Sequence, residues 1–288
     1  MEKYSLLRTH LEGDPRLHLE VPAAATDTQL LRVHRPEYLQ AVVSGGLSRD
    51  AVRRIGFPWS PQLVERSRRS VGGTLAAMHW AFREGFAVNL AGGTHHAFPG
   101  HGEGFCVFND VAVAVLEARS TGLAERVAII DLDVHQGNGT ASIFQDDPTV
   151  FTLSVHGASN YPFHKEDSDL DIALPDGTGD DIYLNAVDRG LAVALQSRPD
   201  LILFVAGADP FEGDRLGRLS VTQAGLAERD RMVFDAAAAH GTPVAVVMSG
   251  GYAPEVQDIV SIHAHTVTEA ARRAELFAAD RAASGNLI

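Results

Sequence analysis

The residues most able to do chemistry sit in the stretch from Val127 to Thr140, VAIIDLDVHQGNGT, where an apolar, largely β-branched run ends in Asp131, Asp133 and His135. Side chains alternate faces along an extended strand, so these three share a face if the strand persists to His135. A carboxylate and an imidazole two residues apart are natural ligands for a divalent metal such as zinc. Gly137 and Gly139, flanking Asn138, free the backbone to turn away from such a site. Alone, the string also reads as a polar strand end entering a surface turn.

Three further apolar runs end in polar groups: His95 and His96 after FAVNLAGG, Asp209 after LILFVAGA, and Tyr252 after VVMSGG. Each has a bland reading. Vicinal histidines in a glycine-rich loop are often solvated, Asp209 before Pro210 could form a turn, and Tyr252 could simply pack. Four complementary strand ends are harder to explain by accident. Together they expect Asp133, His135 and Asp209 on one metal with an open position, the mark of a catalytic site. The histidine pair would then move protons, and Tyr252 would donate to a developing oxyanion.

The elements that must position these groups alternate. Ser60-Pro61 opens a long helix reaching about Gly85, with Ser as N-cap and Pro in the first turn. Leu30 to Val43 reads as a short helix pair broken at Pro36 and ended by Gly45-Gly46. Strands are expected at 86–91, 127–135, 150–155, 201–206 and 243–248, with a short edge-like strand at 170–174. Helices are expected at 107–121, 141–145, 180–197, from a Ser220/Gln223 capping box to His240, and from Pro254 to about Ala283. Residues 1–60 are otherwise weakly patterned. Apolar strands alternating with helices mean an α/β parallel sheet covered on both faces, which binds ligands at the carboxyl ends of its strands.

The 288 residues are 45% hydrophobic and carry a net charge of −13. No linker, low-complexity run or fixed-period repeat interrupts them, so one domain, 1–288, is expected. The acidic balance argues against a nucleic-acid surface. The single cysteine, Cys106, excludes an internal disulfide and fits a reducing compartment, and it reads as a buried structural thiol rather than a nucleophile. The N-terminal stretch MEKYSLLRTHLEGDPR lacks an apolar core and no long apolar run follows, so a cytoplasmic protein without a membrane partner is expected.

The segments AGGTHHAFPGHGEGFCVFNDVAVA, DLDVHQGNGTASIF, LSVHG, AGAD and SGGY, in this order, resemble the zinc-dependent histone deacetylase superfamily. FPWSP before the long helix and GTHHAFPGHGEGFCVFND look most like its class IV branch, including bacterial members. The resemblance implies an arginase-like three-layer fold with a central, mostly parallel, eight-stranded sheet. It implies Zn²⁺ on Asp133, His135 and Asp209, with Fe²⁺ the other candidate in the cell. Tyr252 would polarise the carbonyl, His96 would serve as main base and acid, and His95 would be its electrostatic partner, oriented by Asp131. Gly104 and Phe105, with His34, would line the tunnel for the lysine stem. Asp131, Ser154 and Val155, with the backbone oxygens of Asp133 and His135, would hold a structural K⁺. Hydroxamates would bind the metal. Where class I enzymes place an aspartate behind the second histidine, this chain has Asn138, and a neutral amide stabilises imidazolium less. A lower working pKa for His96 is therefore expected.

The implied activity is hydrolysis of acetyl or longer acyl groups from the ε-amine of lysine in proteins. Acetylpolyamine or another small amide is the alternative substrate, and a non-catalytic acyl-lysine binding module is a distant one. A dinuclear manganese ureohydrolase would want more bridging carboxylates, and a dinucleotide-binding dehydrogenase would want a G-x-G-x-x-G that GGTHHAFPG does not supply.

Overall fold

The structure, a computed structural model, describes residues 2–285. Four short helices precede the long one: α1 (Glu2–Leu11), α2 (Asp27–Leu30), α3 (Pro36–Ser44), α4 (Arg49–Ile55) and then α5 (Pro61–Glu84). The chain continues through β1 (Phe86–Asn89), α6 (Asp110–Ser120), β2 (Val127–Asp131), α7 (Asn138–Phe144), β3 (Val150–Gly157), β4 (Leu170–Leu174) and α8 (Asp180–Ala194). It ends with β5 (Leu201–Ala206), α9 (Gln223–His240), β6 (Val244–Met248) and α10 (Val256–Gly285). Ser60 caps α5 by accepting from the Leu63 amide, with Pro61 at its first position, as its sequence dictates. Pro36 likewise begins α3 after a break, and Gly45, with φ of 76°, ends it in the left-handed conformation.

Among the described residues the sheet has six strands in the order β1-β6-β5-β2-β3-β4, all parallel. This corrects the expectation of eight, mostly parallel. The other apolar stretches are spent in helices and loops, and β4 closes one edge with an alternating, partly exposed pattern. Every residue of β2, β5 and β6 is buried, which is why those strands read as continuous apolar runs. Alternation then splits the core in two. Ala128, Ile130, Ile202 and Phe204 pack towards α1, α8, α9 and α10, while Val127, Ile129, Leu201 and Leu203 pack towards α3, α5 and α6.

Chain order reverses between β2 and β5. From β2 the chain steps outward to β3 and β4, then returns to the other side of β2 for β5 and β6. The loops leaving β2 and β5 diverge there and open a crevice at the carboxyl end of the sheet. No helix among the described residues is long and apolar enough to cross a membrane.

Local details differ from the sequence reading. Strand β2 stops at Asp131, so Asp133 and His135 lie on the following loop rather than along an extended strand. Helix α6 begins only at Asp110 because Asn109 takes the cap, accepting from the Ala112 amide. Thr222, not Ser220, caps α9 and accepts from the Gly225 amide. Helices α1 and α4 were not legible in the weakly patterned start of the chain.

Candidate active site

The crevice at the β2–β5 switch gathers the polar strand ends. Asp133, His135 and Asp209 offer ligand atoms that all lie within 4.8 Å of one another. Both carboxylates are buried, and His135 keeps 12% of its side chain exposed. His135 Nδ1 lies 2.9 Å from Asp133 Oδ1 and 3.2 Å from Asp209 Oδ2. Asp209 Oδ1 accepts from the Val134 amide at 2.9 Å, whereas its Oδ2 is buried and accepts no hydrogen bond. Burial and then the neighbouring Asp133 push Asp209 up to about 6. Two buried carboxylates pressed together, one with an orphaned oxygen, form a donor set that fits a cation, and the mix of oxygen and imidazole suits zinc or ferrous iron.

Backbone must come very close to these carboxylates, which explains the glycines beside them. The Gly250 amide donates to Asp133 Oδ2 at 2.8 Å, and a Cβ on Gly250 would fall 1.6 Å from Asp209 Oδ2. A Cβ on Gly207 would fall 2.6 Å from the Asp133 Cα.

The histidine pair stands beside this cluster, ring centroids 4.1 Å apart. Its loop is fixed from below by the buried Asp110, whose carboxylate accepts from the Gly93 amide at 3.1 Å, the Thr94 amide at 2.7 Å and the hydroxyls of Thr94 and Thr74. His95 Nδ1 meets Asp131 Oδ2 at 2.6 Å. Burial alone would depress His95, but Asp131 and Asp133 outweigh it and hold the imidazole up at about 9. His96 Nδ1 meets Asn138 Oδ1 at 2.7 Å. A carbonyl oxygen only accepts, so the His96 proton sits on Nδ1 and Nε2 keeps its lone pair. Burial first, then the charges of His95 and His135, hold His96 well below the usual imidazole range.

Tyr252 and Phe105 stand at the mouth, centroids 6.1 Å apart and both partly exposed. Burial of the Tyr252 phenol, then Asp209 and Asp133, raises it above its ordinary range, so the hydroxyl stays a donor. Phe105 has φ of 67°, a left-handed conformation rare for an aromatic residue. It is held there by its own amide donating to the Ile55 carbonyl at 2.8 Å and by the Gly104 amide donating to Arg54. A Cβ on Gly104 would lie 2.6 Å from His96 Cδ2, so glycine lets that wall approach the imidazole. Gly104, Phe105, His96, His135 and Tyr252 thus share one cavity.

The remaining expected residues lie apart. His34 is buried, with Nδ1 facing the Phe98 carbonyl at 3.2 Å and Nε2 accepting from the Asn109 amide at 3.0 Å. It supports the loop behind the tunnel and does not line the cavity. Cys106 is a buried free thiol pushed far up by burial, as a structural cysteine should be. Ser154 pairs in register with Asp131 and its Oγ lies 2.9 Å from His156 Nδ1, while Val155 is fully buried one residue on.

Three neighbours escaped the sequence reading. Lys3 Nζ donates to the Ser249 carbonyl at 2.9 Å and lies 5.4 Å above the Tyr252 ring. Glu103 and Tyr161 meet beside Asn138. The glutamate of GEGF was visible as an acid inside a glycine loop, but nothing local told which side chain it would reach.

Comparison with known proteins places the chain in a family. Residues 2–268 match the model of the histone deacetylase domain. An uncharacterized protein of the cyanobacterium Picosynechococcus is 51% identical over 91% of this chain and 89% of its own length. Histone deacetylase 2 of Arabidopsis thaliana is 34% identical over 80% of this chain, which spans 62% of that protein. A histone deacetylase-like amidohydrolase of Pseudomonas aeruginosa is 34% identical over 82% of this chain and 67% of its length. The crystal structure of the HDA15 HD domain superposes with a TM-score of 0.79 at 26% identity, covering 93% of this chain and 81% of that one. The match over nearly the whole chain shows the family, and this chain belongs to it: it is a histone deacetylase-family hydrolase.

Proposed function

We propose that this chain is a metal-dependent lysine deacylase. The observation that carries the reading is the cluster of Asp133, His135 and Asp209 beside a histidine whose Nε2 is free to accept a proton. A divalent cation on the three ligands, Zn²⁺ by the chemistry of the set, would polarise the amide carbonyl and acidify the attacking water. His96 Nε2 takes the proton from that water and returns it to the leaving amine. His95, kept cationic by Asp131, disfavours a second charge on His96 and adds positive field at the reacting carbonyl. The Tyr252 hydroxyl donates to the developing oxyanion, and Gly104 and Phe105 flank the lysine stem.

One feature supports acyl-lysine in a polypeptide over a free polyamine, and a second supports a longer acyl group. Arg53, Arg54 and Arg218 line the outer opening with no carboxylate among its lining residues, although Arg53 pairs with Asp50 and Arg218 with Asp176 outside it. A polyamine would bring its remaining ammonium charges against them. A cavity of about 1230 Å³, open to solvent along part of its length, runs from the ligand cluster past Leu90 to Leu19 and Trp80, and this room supports acyl groups longer than acetyl. The loop sequences FPWSP and GEGFCVFND support placement in the class IV branch. A structural K⁺ on Asp131, Ser154 and Val155 is proposed on the register that sets Asp131 opposite Ser154.

The test is a steady-state comparison of acetyl-lysine peptide, myristoyl-lysine peptide and acetylated polyamine on zinc-loaded protein, with Tyr252→Phe as control. A lysine peptide should be turned over and the variant should lose that turnover. Preference for the polyamine would sink the substrate class, and silence on all three would sink the reading.

A further inference from the structure

Beyond the residues that resemble a known site, a carboxylate stands one step behind the proposed base. Asn138 Nδ2 donates to Glu103 Oε1 at 2.8 Å, and the same oxygen accepts from the Tyr161 hydroxyl at 2.6 Å. Glu103 Oε2 lies 3.6 Å from His101 Nε2. Tyr161 in turn sets its ring edge-on to His96, centroids 5.0 Å apart at 85°. The loop is therefore closed: His96 rests on Asn138, Asn138 on Glu103, and Glu103 on Tyr161, which returns to His96.

An asparagine amide has one accepting and one donating end, and a half-turn exchanges them. Behind a histidine this matters. With Oδ1 towards the imidazole, the ring carries its proton on Nδ1 and exposes a basic Nε2. With Nδ2 towards it, Nδ1 must accept, the proton moves to Nε2, and the ring loses its basic nitrogen on the cavity side. A carboxylate at this place would need no such choice, because both of its oxygens accept. An ionised Glu103 can only accept as well, so it takes the donating end of Asn138 and leaves the oxygen for His96. Burial would raise Glu103, but the nearby His101 and the hydrogen bonds from Tyr161 and Asn138 hold it down at about 2.

We propose that Glu103 is a positioning residue that locks the Asn138 amide, and through it the Nδ1–H tautomer of His96. This deepens the deacylase reading and rests on it for the role of His96, but the lock itself is a property of the side chains.

Two substitutions separate shape from charge. Glu103→Leu removes every acceptor, whereas Glu103→Gln can keep an oxygen where Oε1 stands and loses only the charge. ¹⁵N-histidine NMR on zinc-loaded protein reports the His96 tautomer directly, with His96→Gln to assign the signal. Glu103→Leu should show mixed tautomers and lose roughly tenfold or more in kcat with KM little changed. Glu103→Gln should keep the Nδ1–H form and nearly all of kcat. A pure Nδ1–H form in Glu103→Leu would overturn the proposal, as would tautomer mixing in Glu103→Gln equal to that in Glu103→Leu. If Glu103→Leu does not fold, Glu103→Ala takes its place with the same expected and overturning results. The tautomer is read without substrate. Thus a locked parent and a mixed Glu103→Leu uphold the lock even if no acyl-lysine is hydrolysed, an outcome that would overturn only the deacylase reading.

Discussion

Lys3 donates to the carbonyl oxygen of Ser249, 246 residues along the chain, at 2.9 Å. It reaches the Gly251 carbonyl at 3.4 Å and lies 5.4 Å above the Tyr252 ring. Helix α1 packs on α10, so this ammonium ties the first helix to the loop that presents the proposed oxyanion donor. Lys3→Met keeps most of the stem and removes the donor. A partly buried charged hydrogen bond contributes about 1.5 to 3 kcal/mol to stability, so thermal stability should fall, and kcat should fall with it as the Tyr252 loop loosens. Unchanged kcat would mean that the Tyr252 loop holds its place without Lys3.

Gly250→Ala should cost the metal rather than the fold. The added methyl would sit on Asp209 Oδ2 and crowd Asp133, so the two carboxylates could no longer converge. The parent should hold about one zinc per chain and the variant far less, by elemental analysis after gel filtration. Full zinc occupancy in the variant would show that the ligands lie elsewhere.

The acidic limb of the pH–rate profile should lie below the ordinary imidazole range. His96 acts as a base only when neutral, and burial together with the charge of His95 disfavours its imidazolium. Replacing Asn138 alone by Asp would set a carboxylate against Glu103. The paired change Asn138→Asp with Glu103→Gln avoids this and places a negative charge on His96, so the limb should move up by about one pH unit. An unmoved limb would take His96 out of the rate-limiting titration.

His34 makes stability depend on pH. Its neutral form donates to Phe98 and accepts from Asn109, and a second ring proton would oppose the Asn109 amide. Burial lowers it to about 4 from 6.5. Between those values the unfolded chain binds a proton that the folded chain refuses. The contribution is therefore complete above pH 6.5 and lost as pH falls towards 4, by up to about 3 kcal/mol. Urea midpoints at pH 7 and pH 5 should differ less in His34→Gln than in the parent.

Asp110→Ala should unfold the histidine loop first. It strands two backbone amides and two hydroxyls that now share one buried carboxylate, and the loss should be about 3 kcal/mol or more. A denaturation curve within error of the parent would contradict that role.

The sequence by itself determined the family and most of the frame. Apolar runs too hydrophobic for a one-faced strand had to be buried on both sides, and Ser60-Pro61 and Gly45 marked helix ends through local backbone rules that need no distant partner. The order of metal-seeking groups at strand ends followed from the same runs. Tertiary structure decided what depends on distance in space. It cut the sheet to six strands, ended β2 at Asp131 so that a loop rather than a pleat delivers Asp133 and His135, and moved His34 from the tunnel to the packing behind it. It also brought Lys3 to Ser249 and Glu103 to Asn138. Those contacts pair side chains far apart in the chain through long-range packing, and no periodicity or spacing records which surfaces will meet.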